Sequence, residues 1–129
     1  MAAPSAVIEI TTKAQFDELV KTTPYVALQA HAAWCGPCKA ISPIYNKQAL
    51  EHKSEQFAFA KFDTDDVPDL AHELGIRSIP AFFFFEKGDK ASDLLGAVPP
   101  KLTAAIKGYA DKAKGGNAEE STLKTDENF

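Results

Sequence analysis

Tyr25-Val-Ala-Leu-Gln-Ala-His31, followed three residues later by Trp34-Cys35-Gly36-Pro37-Cys38-Lys39, is the stretch on which the reading of this chain turns. Seven mostly apolar residues suit a central, two-sided strand. Pro37 suits the first turn of a helix, where its missing N–H costs little. The stretch therefore reads as a strand delivering a cysteine to a helix start. Cys35 and Cys38 are the only cysteines in the chain, so any intramolecular cysteine chemistry lies between them. A disulfide across two intervening residues closes a very small loop and gains little entropy, which makes structural stapling a poor explanation. A zinc site is the competing reading. It normally needs four protein ligands, and His31, His52 and His72 lack the usual paired spacing. Redox chemistry is the better fit.

The rest of the composition narrows the class. The chain has 129 residues, 45% hydrophobic and 25% charged, as expected of one globular domain with a single core. Its net charge of −4 comes with no basic cluster to follow a phosphate backbone, which argues against a nucleic-acid partner. No apolar run approaches the ~20 residues of a membrane span. The start, Met1-Ala-Ala-Pro-Ser-Ala, matches neither a secretory signal nor a transit peptide. A cytoplasmic, reducing location is the expectation, and there a disulfide is transient and catalytic.

Apolar runs alternate with helical patterns along the chain, the signature of an α/β sheet with covering helices. Val7–Ile10 reads as a short strand. Thr12 reads as an N-cap with Gln15 completing a capping box, and Phe16, Leu19 and Val20 as the buried stripe of the helix that follows. The cysteine helix is expected to run to about Lys53, with a kink at Pro43. Phe57–Phe62 reads as a buried strand. A short helix starts at Pro68 and stops at Gly75, and a hairpin turns around Glu86-Lys-Gly-Asp89. The last helix opens at Pro99-Pro100, with Leu102, Ala105, Ile106, Tyr109 and Ala110 at helical spacing. Residues 1–114 form the expected domain, and the polar, acidic tail 115–129 is expected to be disordered.

The helix-start position suggests a division of labour. Unpaired N–H groups and the positive end of the macrodipole favour a thiolate at Cys35, and Cys38 follows one turn later, placed to attack a mixed disulfide formed there. Gly36 lets a substrate chain approach, and Pro37 stiffens the turn.

Trp34-Cys-Gly-Pro-Cys-Lys39 together with Ile79-Pro80 resembles the thioredoxin family. The resemblance covers about residues 7–113 and includes Phe57-Ala-Phe-Ala-Lys-Phe-Asp63, Gly75-Ile-Arg-Ser-Ile-Pro80 and Leu95-Gly-Ala97. Ala40-Ile-Ser-Pro43 and Gly96-Ala-Val-Pro-Pro100 look most like eukaryotic, cytosolic-type members. It implies a thioredoxin fold, a central five-stranded mixed sheet flanked by four helices. It also implies a protein-disulfide reductase and redox carrier, a monomer with no bound cofactor or metal beyond its redox-active disulfide. Its implied partners are disulfide-containing clients and an NADPH-dependent thioredoxin reductase. Pro80 matches the family's cis-proline. Ile79 is then expected to pair through its backbone with an extended client segment, with Trp34, Ile76, Gly96 and Ala97 as the apolar surround. An ordinary strand-edge proline is the alternative for Pro80 if the cysteine motif is set aside.

One position departs from the family pattern. Its buried aspartate, six residues before the first cysteine, is here Gln29. An amide can hydrogen-bond or hold a water, but it cannot take the proton of the resolving thiol. Lys61, matching the family's lysine beneath the site, is expected to lose its carboxylate partner. His31 shares a strand face with Gln29 and titrates near neutrality when unperturbed. It reads either as a substitute base or as a filler of an aromatic slot. His52 and His72 are expected to face solvent. Asp63, Asp65, Asp66 and Asp69 read as helix-start charges rather than a cation loop. Two other classes stay open: a thioredoxin-fold client-binding or regulatory module with weak turnover, which Gln29 favours, and a secretory-pathway oxidase or isomerase. The latter is opposed by the Asp-Glu-Asn-Phe terminus, which does not match an ER-retention signal.

Overall fold

The expected strand of Tyr25–His31 is the centre of the sheet. The computed structural model describes residues 6–115. In chain order its elements are β1 (Val7–Glu9), α1 (Lys13–Thr22), β2 (Tyr25–His31), α2 (Gly36–His52), β3 (Phe57–Asp63), α3 (Pro68–Glu73), β4 (Ala81–Glu86), β5 (Asp89–Leu95) and α4 (Pro99–Gly115). The strands form one mixed sheet in the order β1-β3-β2-β4-β5. β1, β3 and β2 run parallel, while β4 and β5 are antiparallel additions. The expectation for the tail lies almost wholly outside the described residues.

Side-chain alternation splits the core into two layers. Ala27, Phe57, Phe59, Phe82 and Phe84 meet Ile41 and Tyr45 of α2 and Leu102 and Ile106 of α4. Leu28, Ala30, Phe83 and Phe85 face the other way, onto Phe16 of α1 and Leu70 of α3. The four successive phenylalanines therefore serve both faces, as a strand's period of two requires. Each such buried side chain removes enough apolar surface from water to stabilise the fold by ~1.5–3 kcal/mol.

Local signals end most elements where the sequence places them. Thr12 Oγ1 accepts from Gln15 N–H at 3.1 Å. The return bond of the capping box is displaced by one residue, since Gln15 Oε1 accepts from the N–H of Thr11 at 2.8 Å. Gly75 takes φ +67°, and the bonds Gly75 N–H to His72 O and Ile76 N–H to Ala71 O close α3. Lys87 (φ 53°) and Gly88 (φ 90°) form the two-residue hairpin turn. Pro43 stands inside α2.

Tyr45 is marked by no sequence pattern. Its fully buried hydroxyl lies 3.0 Å from the carbonyl of Ala27 and 2.8 Å from that of Ala60, donating its single proton between β2 and β3. Burial pushes the phenol well above its ordinary range, so it stays a neutral donor. Tyr45→Phe is expected to lower unfolding free energy by ~1–2 kcal/mol, as measured by urea denaturation.

Candidate functional site

The stretch that decides the fold also builds the site. β2 ends at His31, a short turn follows, and Cys35 becomes the N-cap of α2, with Gly36 and Pro37 in the first turn. Cys35 and Cys38 are joined as a disulfide, their Cα atoms 5.3 Å apart. Cys35 Sγ accepts a hydrogen bond from the N–H of Cys38 at 3.1 Å. That donor is an orphan group of the helix start, and the same N–H would support negative charge on Cys35 after reduction. Both cysteine residues are nearly covered, Cys35 at 4% and Cys38 at 2% exposure. Ala32 packs with them, and partly buried Ile79 closes over the pair.

Around the pair lies a broad apolar surface. Trp34 is 70% exposed, and its indole N–H donates to Asp65 Oδ2 at 2.9 Å. Asp65 itself is placed by a turn in which Asp63 Oδ1 accepts its N–H at 2.8 Å. Two of the four acidic residues read as helix-start charges thus act on the loop and the tryptophan. Nothing local in the sequence links Asp65 to Trp34, 31 positions away. Trp34, Ile76 and Ile79 line a cavity of about 420 Å³ together with Thr64, Ala71, Arg77 and Ser78. The Ile79–Pro80 peptide is cis. The Pro80 carbonyl accepts from the N–H of Gly96 at 2.9 Å, which brings the β5–α4 turn beside the groove. Gly96 holds φ +91°, a conformation other residues adopt only at a cost. Ala97 packs against the core, and the exposed apolar area comes from its neighbours Leu95 and Val98.

An exposed indole held by one hydrogen bond contributes contact area without supporting the core. Trp34→Ala is expected to raise KM for a protein disulfide several-fold while shifting stability by no more than ~0.5 kcal/mol. Parallel kinetics with a small disulfide, which cannot reach the indole, would show little change.

Beneath the disulfide, Gln29 is fully buried and is the one buried polar residue among those described. Its Nε2 donates to Ser42 Oγ at 3.1 Å, and Ser42 Oγ donates to the carbonyl of Cys38 at 2.7 Å. Sequence reasoning does not single out Ser42, although its place one helical turn after Cys38 puts both on one side of α2. Lys61 pairs in register with Gln29 across β2 and β3. With an amide at position 29, its carboxylate neighbour is instead Glu9 of β1, next in the same row and 3.8 Å from its ammonium. This half-exposed pair is worth little in stability. His31 is half-buried on the Gln29 face, in register with Asp63. Its Nε2 is buried and has no hydrogen-bond partner among the described residues.

His72 is exposed as expected, but His52 is half-buried, with Nδ1 covered and unpaired among the described residues. It sits in the last turn of α2, whose preceding turn buries Ala49. Among the described residues no group of three His, Cys, Asp or Glu side chains could hold a metal ion, and no helix is long and apolar enough to cross a membrane.

Comparison with known proteins gives a consistent result. Residues 7–108 match the family model named Thioredoxin. The chain is 38% identical over 97 residues to a thioredoxin of Malassezia sympodialis, covering 75% of this chain and 92% of that protein. It is 37% identical over 113 residues to thioredoxin-like protein 1 of Schizosaccharomyces pombe, covering 88% of this chain but spanning only 39% of that longer relative. The solved structure of the Malassezia sympodialis thioredoxin superposes with a TM-score of 0.78 at 34% identity, covering 85% of this chain and 96% of the other.

Proposed function

Since this chain belongs to the thioredoxin family of disulfide oxidoreductases, we propose that it is a reductase of protein disulfides that carries electrons from an NADPH-dependent thioredoxin reductase to its clients. The observation that carries this reading is Cys35 at the helix start, its sulfur accepting the Cys38 N–H. The Cys35 thiolate attacks one sulfur of a client disulfide, forming a mixed disulfide and expelling the client's other sulfur as a thiolate. Cys38, losing its proton, attacks Cys35 Sγ. The client leaves as a dithiol and the Cys35–Cys38 bond forms. Two electrons pass to the client, and a reductase must return two to reopen the bond.

The client lies along the groove of Ile76, Ile79, Pro80, Gly96 and Ala97 as an added extended segment, its main chain held by the backbone at Ile79. Trp34 supplies apolar contact. Such binding tolerates many client sequences, which suits a general carrier of the cytoplasm acting as a monomer. Gln29 favours a second reading, a client-binding module with weak turnover, because an amide at that position cannot accept the Cys38 proton.

The two readings separate in an insulin-reduction assay coupled to NADPH oxidation by thioredoxin reductase. Steady NADPH consumption that depends on this protein is the expected result. Stoichiometric client capture without continued consumption would replace the carrier by the binding module.

A further inference from the structure

Ser42 joins Gln29 to the resolving cysteine through two short contacts, and their chemistry fixes the direction of each. Ser42 Oγ lies 2.7 Å from the Cys38 carbonyl oxygen and 3.1 Å from Gln29 Nε2. A carbonyl can only accept, so the serine proton belongs to Cys38, and Ser42 has only lone pairs to offer Gln29. The Gln29 amide must therefore point its NH2 group at Ser42 and its oxygen elsewhere. That oxygen, Oε1, is buried and has no hydrogen-bond partner among the described residues. A buried acceptor without a donor is costly, and this one belongs to the side chain that Ser42 links to Cys38.

The disulfide cannot relieve it, because neither sulfur carries hydrogen. Reduction changes that. When a dithiol reductant opens the bond, two electrons and two protons enter, the reductant becomes a disulfide, and each cysteine becomes a thiol. Cys35 then sheds its proton to solvent to the extent that it ionises. Cys38 keeps an S–H, a new donor on the residue whose carbonyl Ser42 already holds. We propose that Ser42 is a positioning residue for the redox couple, orienting the Gln29 amide so that Oε1 accepts the Cys38 S–H, directly or through one water, only in the reduced protein.

This inference rests on the reading of Cys35 and Cys38 as a redox couple. The Gln29–Ser42 arrangement favours the dithiol over the disulfide and holds the Cys38 proton until a mixed disulfide forms. An amide can hold that proton but not remove it, so the same contact that raises the potential retards resolution.

The test is the exchange equilibrium with glutathione redox buffers, measured on the whole protein for native, Gln29→Leu, Ser42→Ala and Ser42→Thr. Gln29→Leu removes the acceptor, and Ser42→Ala releases the amide to turn. Both are expected to shift equilibrium toward the disulfide by about three- to tenfold, or roughly 15–30 mV more negative. Ser42→Thr keeps the hydroxyl and should stay near native. A merely structural role would weaken both redox states alike and leave the potential in place. In Raman spectra of the reduced protein, the Cys38 S–H stretch should rise in frequency in Gln29→Leu. Half-buried Ser42→Ala keeps the test decisive if Gln29→Leu fails to fold. Potentials of the folded variants within twofold of native in equilibrium constant would overturn the proposal, as would Ser42→Thr shifting as far as Ser42→Ala. The buffer exchange needs no client, so failure of insulin reduction with shifted potentials would count against the proposed function alone. Normal insulin reduction with unmoved potentials would count against this inference alone.

Discussion

Cys35→Ser is expected to reduce disulfide turnover to the rate of uncatalysed exchange, while Cys38→Ser should still attack clients and then stall as a mixed disulfide. The asymmetry follows from the helix start. Cys35 is the N-cap whose sulfur already accepts the Cys38 N–H, and it follows Trp34 and packs with Ile79, two of the residues that line the groove. Cys38 lies one turn inward along α2, its carbonyl held by Ser42 and its exposure the lower of the two cysteines. A serine hydroxyl at position 35 stays protonated near neutral pH and cannot substitute as a nucleophile. Incubation with a mixture of oxidised proteins, followed by non-reducing electrophoresis, reads both variants at once. Covalent adducts should accumulate with Cys38→Ser and be absent with Cys35→Ser. Equal trapping through Cys38 in the Cys35→Ser protein would reverse the assignment.

Gln29→Asp carries the other large effect, in opposite directions for rate and stability. A carboxylate in place of the amide can take the Cys38 proton, so the resolving step near neutral pH should accelerate by roughly tenfold or more, toward the range of general-base catalysis. The initial attack by Cys35 should change little. Stability should fall, because position 29 is fully buried and burial disfavours the charged form. The sign with pH follows from linkage. Burial raises the folded-state pKa of the new aspartate above its unfolded value near ~3.9, so between the two values the folded protein binds the extra proton. Stability of the variant, relative to native, is then least affected at low pH and declines as pH rises through that window, by ~1.4 kcal/mol for each pH unit that separates the folded from the unfolded value. Lys61 in the same row limits the loss only to the extent that it leaves Glu9. Stopped-flow reduction across pH with native, Gln29→Asp and His31→Phe proteins separates the steps. Slower resolution in His31→Phe would identify His31 as the residual base. A resolving rate unchanged by Gln29→Asp at every pH would reduce Gln29 to a packing replacement.

Much of the frame is legible in local sequence because its causes are local. Gly75 ends α3 since a left-handed residue is needed there, and Lys87-Gly88 turns the hairpin for a similar reason. Phe82 to Phe85 divide between two layers by the period of a strand alone. The motif Trp34 to Lys39 places Cys35 at a helix start because Pro37 belongs in a first turn. His52 shows the limit of such reasoning: nothing in its neighbours signals that the last turn of α2 folds against the core.

The chain's own order therefore determined the sheet, its covering helices and the redox pair, since periodicity, turn chemistry and cysteine spacing act over a few residues. What the tertiary structure alone decided are the partners that meet across the sheet. Asp65 holds Trp34, Tyr45 bridges the carbonyls of Ala27 and Ala60, Glu9 reaches Lys61, and Ser42 turns Gln29 toward α2. Each of these contacts joins residues on different elements or on the turns between them. Strand register and helix packing set their geometry, and no local pattern encodes where a polar atom on one element will find its donor on another.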